Sequence, residues 1–263
     1  MSDAPLAGRR VLVTRRPEQT SSLAARLAEL GAIVVSVPAI AITSPEDPAP
    51  FDAALARIEG YDWIIFASGN AVNAVADGLA ARGRQPALVG PAIASVGPAT
   101  TRALAARFPG CAVELQPTAD FRAEGLLMAF AERGWPRDQN CLIPHGDRAR
   151  DIVAAGLRER GARVDAVVAY RTVVPDGFAD ALANAQRDRI DLALFASPSA
   201  VESFASAAGE TARVLPIVAI GPITAEAARA TGLTVLAVAE SSTIDGLVKA
   251  AIRCFAASAL TPG

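Results

Sequence analysis

Phe66-Ala67-Ser68-Gly69-Asn70-Ala71-Val72 ends one apolar run, passes through small polar residues and enters a helical pattern. The same layout returns 129 residues later as Phe195-Ala196-Ser197-Pro198-Ser199-Ala200-Val201. A second pair follows: Val96-Gly97-Pro98-Ala99-Thr100 is answered 124 residues later by Ile220-Gly221-Pro222-Ile223-Thr224. Each copy reads as a strand, a small polar junction and a helix. The chain therefore carries two similar sheet edges. The carboxyl edge of a parallel sheet is where such folds bind ligands, and two such edges could face one another across a cleft.

Strands and helices alternate outward from these junctions. Val11-Leu12-Val13 reads as a short buried strand, Pro17 and Glu18 suit a helix start, and Leu23, Leu27 and Leu30 share one helical face. Gly31 suits a helix C-terminus, and Ile33 to Val37 is the next strand. The unit recurs as Cys141-Leu142-Ile143, a helix over about 147–160, Gly161 and the strand Val164 to Tyr170. Trp63 to Ala67, Ile93 to Val96 and Val113 to Leu115 read as strands, with counterparts at Leu192 to Ala196, Ile217 to Ile220 and Val235 to Val238. The last helix is expected to open at Ser242, with Asp245 as its capping-box partner. Apolar strands without alternation, separated by helices, imply parallel sheets covered on both faces. Two connectors stand out: Thr43 to Pro50, with three prolines, and Thr172 to Gly177. The duplication alone is compatible with two consecutive lobes or with interleaved ones.

The 263 residues suit two domains, and a 52% hydrophobic composition allows a sizeable core. A formal charge of −2 and only 5% aromatic residues give no case for nucleic acid. Cys111, Cys141 and Cys254 lack paired spacing and read as reduced thiols in a reducing compartment. No apolar run approaches the roughly 20 residues of a membrane span, and Met1 to Arg10 has no signal-peptide core. A soluble cytoplasmic protein is the expectation. The phosphate-binding glycine loops and the Gly-x-Ser-x-Gly elbow are absent. A triad or metal site would have to rely on His145, the single histidine.

What remains is a set of strand-to-helix junctions: Thr14-Arg15, Ser68-Gly69-Asn70, Gly97 to Thr100, Ser197-Pro198-Ser199 and Gly221 to Thr224. Their side chains suit simple helix capping. Their exposed N–H groups and partial positive charge equally suit anion binding, at about 0.3–1 kcal/mol per carboxylate. Several such termini could hold a polyanion without a basic surface. Arg15, Arg16, Arg148, Arg150 and Arg171 lie near these edges, with Arg15 and Arg148 just beyond strand ends. Tyr170 stands where a strand runs into the second connector, either overhanging a cleft or packed at a hinge.

These stretches resemble the uroporphyrinogen-III synthase family over nearly the whole chain. The matching pieces are Val11 to Arg15; Tyr61 to Phe66 with Ser68, Asn70, Ala71 and Val72; and Val96-Gly97 with Thr100. They continue with Phe121, Ala123 to Leu126, Tyr170-Arg171-Thr172, Ser197 to Val201, and Ile220-Gly221-Pro222 with Thr224. The resemblance implies two flavodoxin-like α/β lobes with parallel sheets, joined by a two-stranded linker, with the binding cleft between them. It implies a discontinuous first lobe, 1–36 with 173–263, and a second lobe, 37–172. The implied reaction is the cofactor-free, dehydrating cyclisation of hydroxymethylbilane to uroporphyrinogen III with inversion of ring D. Water leaves the terminal hydroxymethyl group, the substituted carbon of the last ring attacks to give a spiro intermediate, and reclosure inverts that ring. Tyr170 resembles the family tyrosine near the step in which water leaves. The residues implied to bind substrate are Thr14, Arg15, Ser68, Asn70, Gly97, Thr100, Phe121, Arg148, Ser197, Ser199, Gly221 and Thr224. The family acts as a monomer, and hydroxymethylbilane synthase would hand over the substrate. Two departures stand out: His145-Gly146 replaces a common Arg-Gly, and Ala67 and Ala196 replace a common threonine. A second reading is an intracellular two-lobed module that closes on a small anionic metabolite.

Overall fold

The computed structural model describes residues 4–14, 17–84, 87–208 and 215–258. In chain order the first half runs β1 (Arg10–Val13), α1 (Pro17–Glu29), β2 (Ile33–Ser36), β3 (Ala41–Thr43), α2 (Ala49–Ala56), β4 (Trp63–Phe66), α3 (Gly69–Ala80), β5 (Ala92–Ser95) and α4 (Pro98–Arg107). It continues α5 (Ala123–Arg133), β6 (Asn140–Gly146), α6 (Ile152–Arg158), β7 (Arg163–Val173), α7 (Phe178–Gln186), β8 (Leu192–Phe195), α8 (Pro198–Ala208), β9 (Ile217–Ala219), α9 (Pro222–Ala230), β10 (Val235–Val238) and α10 (Ile244–Ser258). The chain divides into two compact units, 1–41 with 173–263, and 42–172.

In the discontinuous unit the strand order is β10-β9-β8-β1-β2, with every pair parallel. Counted within the unit this is the flavodoxin-like order 2-1-3-4-5. The three central strands, β9, β8 and β1, are buried on both faces. Leu12, Ala193, Phe195 and Ile217 point toward Phe178, Leu182, Val201 and Phe204 on α7 and α8. Val11, Val13, Leu192, Leu194 and Val218 point toward Leu23 and Leu27 on α1 and Leu247 and Val248 on α10. Such two-sided burial is why these strands read as unbroken apolar runs.

The continuous unit has the order β3-β7-β6-β4-β5, with β7-β6, β6-β4 and β4-β5 parallel. Its strands sort the same way. Ile64, Phe66 and Leu142 face Phe51, Leu55, Val72, Val75 and Leu104, while Trp63, Ile65, Cys141 and Ile143 face Leu126, Phe130, Val153 and Leu157. Trp63 packs edge-on to Phe130 at 5.2 Å. Register makes β6 and β7 the counterparts of β1 and β2: Cys141 pairs with Trp63 as Val11 pairs with Leu192. The two units are thus the same sheet entered at different points of the chain.

Three expectations are corrected. Val113 to Leu115 does not form a strand: only Leu115 bridges, to Ala94. Leu115 receives the Ser95 N–H, and the next ladder donor would come from Pro117, which has none. The helix expected over 147–160 begins only at Ile152. The Asp147 N–H donates to Tyr170 O and its carboxylate accepts the Thr172 N–H, which commits the chain to β7 before it can turn. The last helix opens at Ile244, where the Thr243 hydroxyl, not Ser242, accepts the Gly246 N–H at 3.1 Å.

Candidate active site

In a doubly wound sheet the crevice for ligands opens where neighbouring strands send their connections in opposite directions. In unit 42–172 those strands are β6 and β4, because β6 leads to β7 on one side and β4 leads to β5 on the other. Beyond their carboxyl ends stand Gly146, Ser68 and, from β7, Tyr170.

Ser68 is the N-cap of α3, and its Oγ accepts the Ala71 N–H at 3.1 Å. The same Oγ lies 3.1 Å from the Tyr170 hydroxyl. Tyr170 is half-buried, its ring against the core under α3. The β6–β7 register slips here: His145 pairs with Val168 but Gly146 pairs with Tyr170. The extra residue is a bulge, a feature that re-aims the side chain next to it. It lays the phenol over Gly146, where a Cβ would stand 2.7 Å from Cε2 and Cζ of the ring and 2.9 Å from its hydroxyl. Only glycine leaves room for the ring. His145, half-buried, donates from Nδ1 to Gly146 O at 2.9 Å.

Gly97 is the N-cap of α4 in extended conformation, and Phe121 lies across it, 2.8 Å from where a Cβ would be. Phe121 is 46% exposed. Arg122 beside it forks onto Asp120 at 2.7 and 2.9 Å, and this bond holds the Asp120 carboxyl below the usual carboxylate range. Behind α4, the buried Ser95 hydroxyl and Thr101 (2.6 Å apart) both reach Gln116 Oε1, at 3.4 and 2.5 Å.

Unit 1–41 with 173–263 repeats the junctions with other residues. Ser197 caps α8, accepting the Ala200 N–H at 3.2 Å, and its hydroxyl meets Ser199 at 3.2 Å. Gly221 caps α9 in extended conformation against the Ser242 hydroxyl. Ile223, in the first turn of α9, is 70% exposed.

The structure thus brings Ser68, Gly97, Phe121 and Tyr170 to one sheet edge, with Asn70 half-buried in the first turn of α3. It brings Ser197, Ser199 and Gly221 to the other. Three threonines differ from the picture of exposed grips. The Thr14 hydroxyl is buried and donates to Leu194 O at 3.1 Å, closing the β1–β8 gap internally. Thr100 and Thr224, equivalent first-turn residues, turn their side chains into the core. None of these three threonines is exposed. Arg148 is exposed in the turn after β6, Arg150 likewise, and Arg171 pairs with Glu46 at 2.9 Å. Arg15 and Arg16 lie outside the described residues.

Sequence reasoning named Gly146 only beside His145 and missed its place under the Tyr170 ring, and it missed Gln116 and a third repeat. Ala123-Glu124-Gly125-Leu126 returns 121 residues later as Ile244-Asp245-Gly246-Leu247. A Cβ on Gly125 would strike Asp120 O, and one on Gly246 would strike Ser241 O. The acidic-Gly-Leu signal was there to be read; the others depend on partners distant in sequence.

The family model for uroporphyrinogen-III synthase HemD matches residues 21–249. A uroporphyrinogen-III synthase from Synechococcus elongatus is 35% identical over 260 residues, covering 95% of this chain and 97% of the relative. A porphyrin biosynthesis protein HemD from Ruminiclostridium josui is 30% identical over 93% of this chain, which spans about half (48%) of that longer protein. Among solved structures, a mutant uroporphyrinogen III synthase from Thermus thermophilus aligns over 95% of this chain and 100% of its own at TM-score 0.64 and 20% identity. A uroporphyrinogen-III synthetase from Helicobacter pylori aligns over 93% and 99% at TM-score 0.60 and 14% identity. At those identities the structures speak for the fold alone, and it is the sequence matches that carry the conclusion: the chain belongs to the uroporphyrinogen-III synthase family.

Proposed function

We propose that Tyr170 is the proton donor in a reaction this chain shares with its family, the dehydrating cyclisation of hydroxymethylbilane to uroporphyrinogen III. One observation carries the assignment: a phenol aimed by a strand bulge over a glycine, at the switch point of a doubly wound sheet, with a serine hydroxyl 3.1 Å away. As the hydroxymethyl C–O bond breaks, the phenol gives its proton to the departing oxygen and water leaves. The methylene left behind is electrophilic. The substituted carbon of the last ring attacks it to give the spiro intermediate, the bond from that carbon to its original methylene then breaks, and the ring's free α-carbon closes on the methylene so released. That carbon sheds its proton as aromaticity is restored, which returns the phenol to its starting state. Net, one water is lost and no cofactor is consumed.

The uncatalysed closure yields the non-inverted isomer, so the protein must decide which carbon meets the methylene. That is a problem of orientation. The acetates and propionates are the handles. Helix termini capped by Ser68, Gly97, Ser197 and Gly221 offer N–H donors and partial positive charge to them. The half-exposed ring of Phe121 offers an apolar face to a pyrrole. Arg15 and Arg148 add charge at strand ends. The enzyme works as a cytoplasmic monomer that receives its unstable substrate from hydroxymethylbilane synthase. No described helix is long and apolar enough to cross a membrane.

The test is to feed hydroxymethylbilane to the purified chain and resolve the product isomers. Formation of the type III isomer above the uncatalysed background is expected. Type I alone, at the spontaneous rate, rejects the activity; type III at the wild-type rate from Tyr170→Phe rejects the role given to the phenol.

A further inference from the structure

We propose that Ser68 is the positioning residue of Tyr170, acting on the reaction through the phenol rather than by holding a substrate carboxylate. The inference rests on the reading of Tyr170 as proton donor. Ser68 Oγ is fixed first by the helix, because it accepts the Ala71 N–H at 3.1 Å. That leaves its own proton to donate, and Tyr170 Oη sits 3.1 Å away to accept it. A hydroxyl that already accepts from an amide is polarised toward donating. Ser68 therefore donates to the phenol oxygen, which turns the phenol's own O–H outward to the leaving group. The rest of Tyr170 is held as closely. The bulge opposite His145–Gly146 sets its direction, Gly146 gives the ring its seat, and its carbonyl accepts the Asp147 N–H at 3.0 Å. The hydroxyl is the remaining degree of freedom, and Ser68 removes it.

The duplicated fold supplies its own comparison. Ser197 is the same cap in the other unit, with the same bond to the amide three residues on, 3.2 Å. Its further partner is Ser199, and both tyrosines of the chain, Tyr61 and Tyr170, lie in unit 42–172. Losing either serine costs a helix cap, but only Ser68 orients a phenol.

The experiment is a kinetic double-mutant cycle on the full chain with hydroxymethylbilane, reading kcat, KM, isomer fraction and melting temperature. Ser68→Ala should lower kcat about tenfold, less than the roughly 100-fold or more that losing a positioned proton transfer costs, because the phenol itself remains, with KM within about twofold. In the Tyr170→Phe background the same change should have no further effect on kcat. Ser197→Ala should raise KM and leave the cycle with Tyr170 additive. Ser68→Gly, which is tolerated at an N-cap, gives a folded, hydroxyl-free protein if the alanine variant misfolds, and Ser68→Thr should recover most of the lost kcat. Multiplicative effects of Ser68→Ala and Tyr170→Phe, or a change confined to KM, would overturn the positioning role while leaving the activity and Tyr170 in place. Wild-type turnover by Tyr170→Phe would instead remove the phenol from the mechanism, and this inference with it.

Discussion

Replacing Gly146 by alanine perturbs the site through one methyl group. The added carbon would stand 2.7 Å from two ring carbons of Tyr170 and 2.9 Å from its hydroxyl. Carbon atoms rest at about 3.5–4.0 Å, so the ring must withdraw by roughly 1 Å. It cannot swing freely, since the bulge sets its direction and its inner edge packs on the core beneath α3. Overpacking of this kind costs about 1–3 kcal/mol. At this chain length that lowers the melting temperature by about 2–4 °C per kcal/mol. The same withdrawal stretches the 3.1 Å bond to Ser68 beyond hydrogen-bonding reach. A displacement near 1 Å in a positioned group can cost about 100-fold in rate. Activity should therefore fall by far more than the loss of folded protein explains. The assay generates hydroxymethylbilane in situ, oxidises the products and separates type I from type III by chromatography, next to thermal melts of the same preparation. A folded Gly146→Ala protein with wild-type kcat and isomer ratio would refute the claim that the glycine exists to seat the phenol.

Gly125→Ala and Gly246→Ala should each destabilise by about 1–3 kcal/mol or more, because the new Cβ meets backbone carbonyls of Asp120 and Ser241 that cannot rotate away; denaturant melts check it, and an unshifted midpoint rejects the close approach. The Cys141 thiol, buried and near Asp62, is pushed up to about 12. It should resist a thiol reagent at pH 8 in the native protein and react at the unfolding rate, and stoichiometric labelling before unfolding would contradict this. Burial, and then the bond to Asp165 at 2.6 Å, raises the Tyr61 hydroxyl above its ordinary value. A raised folded pKa stabilises fully below the unfolded value, about 10, and the benefit is lost as pH rises through the folded one. Tyr61→Phe should thus cost about 1 kcal/mol near pH 8 and the gap from wild type should close at higher pH; a gap that widens in alkali would reverse the sign.

Much of the fold was legible because burial wrote itself into composition. Trp63 to Phe66 and Leu192 to Phe195 are apolar at every position since helices cover both faces of their sheets. Caps were legible at Ser68 and Ser197, where a local rule, an oxygen three residues before an amide, suffices. What depended on distant partners was not. Ser68 and Tyr170 are 102 residues apart, and the bulge that joins them exists only in the pairing of β6 with β7. The late start of α6 follows from Asp147 binding Thr172 across that same pairing. Thr14, Thr100 and Thr224 carried the right chemistry at the right junctions, but a hydroxyl's direction is fixed by the strand or helix behind it, and all three turn inward. Gly146 read as ordinary because the ring above it belongs to another strand.

The two units answer one structural question differently. At the switch point each must finish the gap between its first and third strands. In the discontinuous unit Thr14 does so by bonding Leu194 O, which uses up the hydroxyl. Register puts Pro144 at the corresponding place in the other unit, with no hydroxyl to spend. There β6 runs on to Gly146, β7 bulges, and Tyr170 comes over the strand end with its oxygen beside Ser68. Among the described residues, the first solution leaves helix termini at that edge, whose main-chain N–H groups suit a carboxylate and do not give up a proton. The second puts a titratable group at that place. Under the proposed function, a duplicated sheet that both grips an acid-decorated chain and protonates its leaving group has reason to diverge at this position and to keep its caps alike.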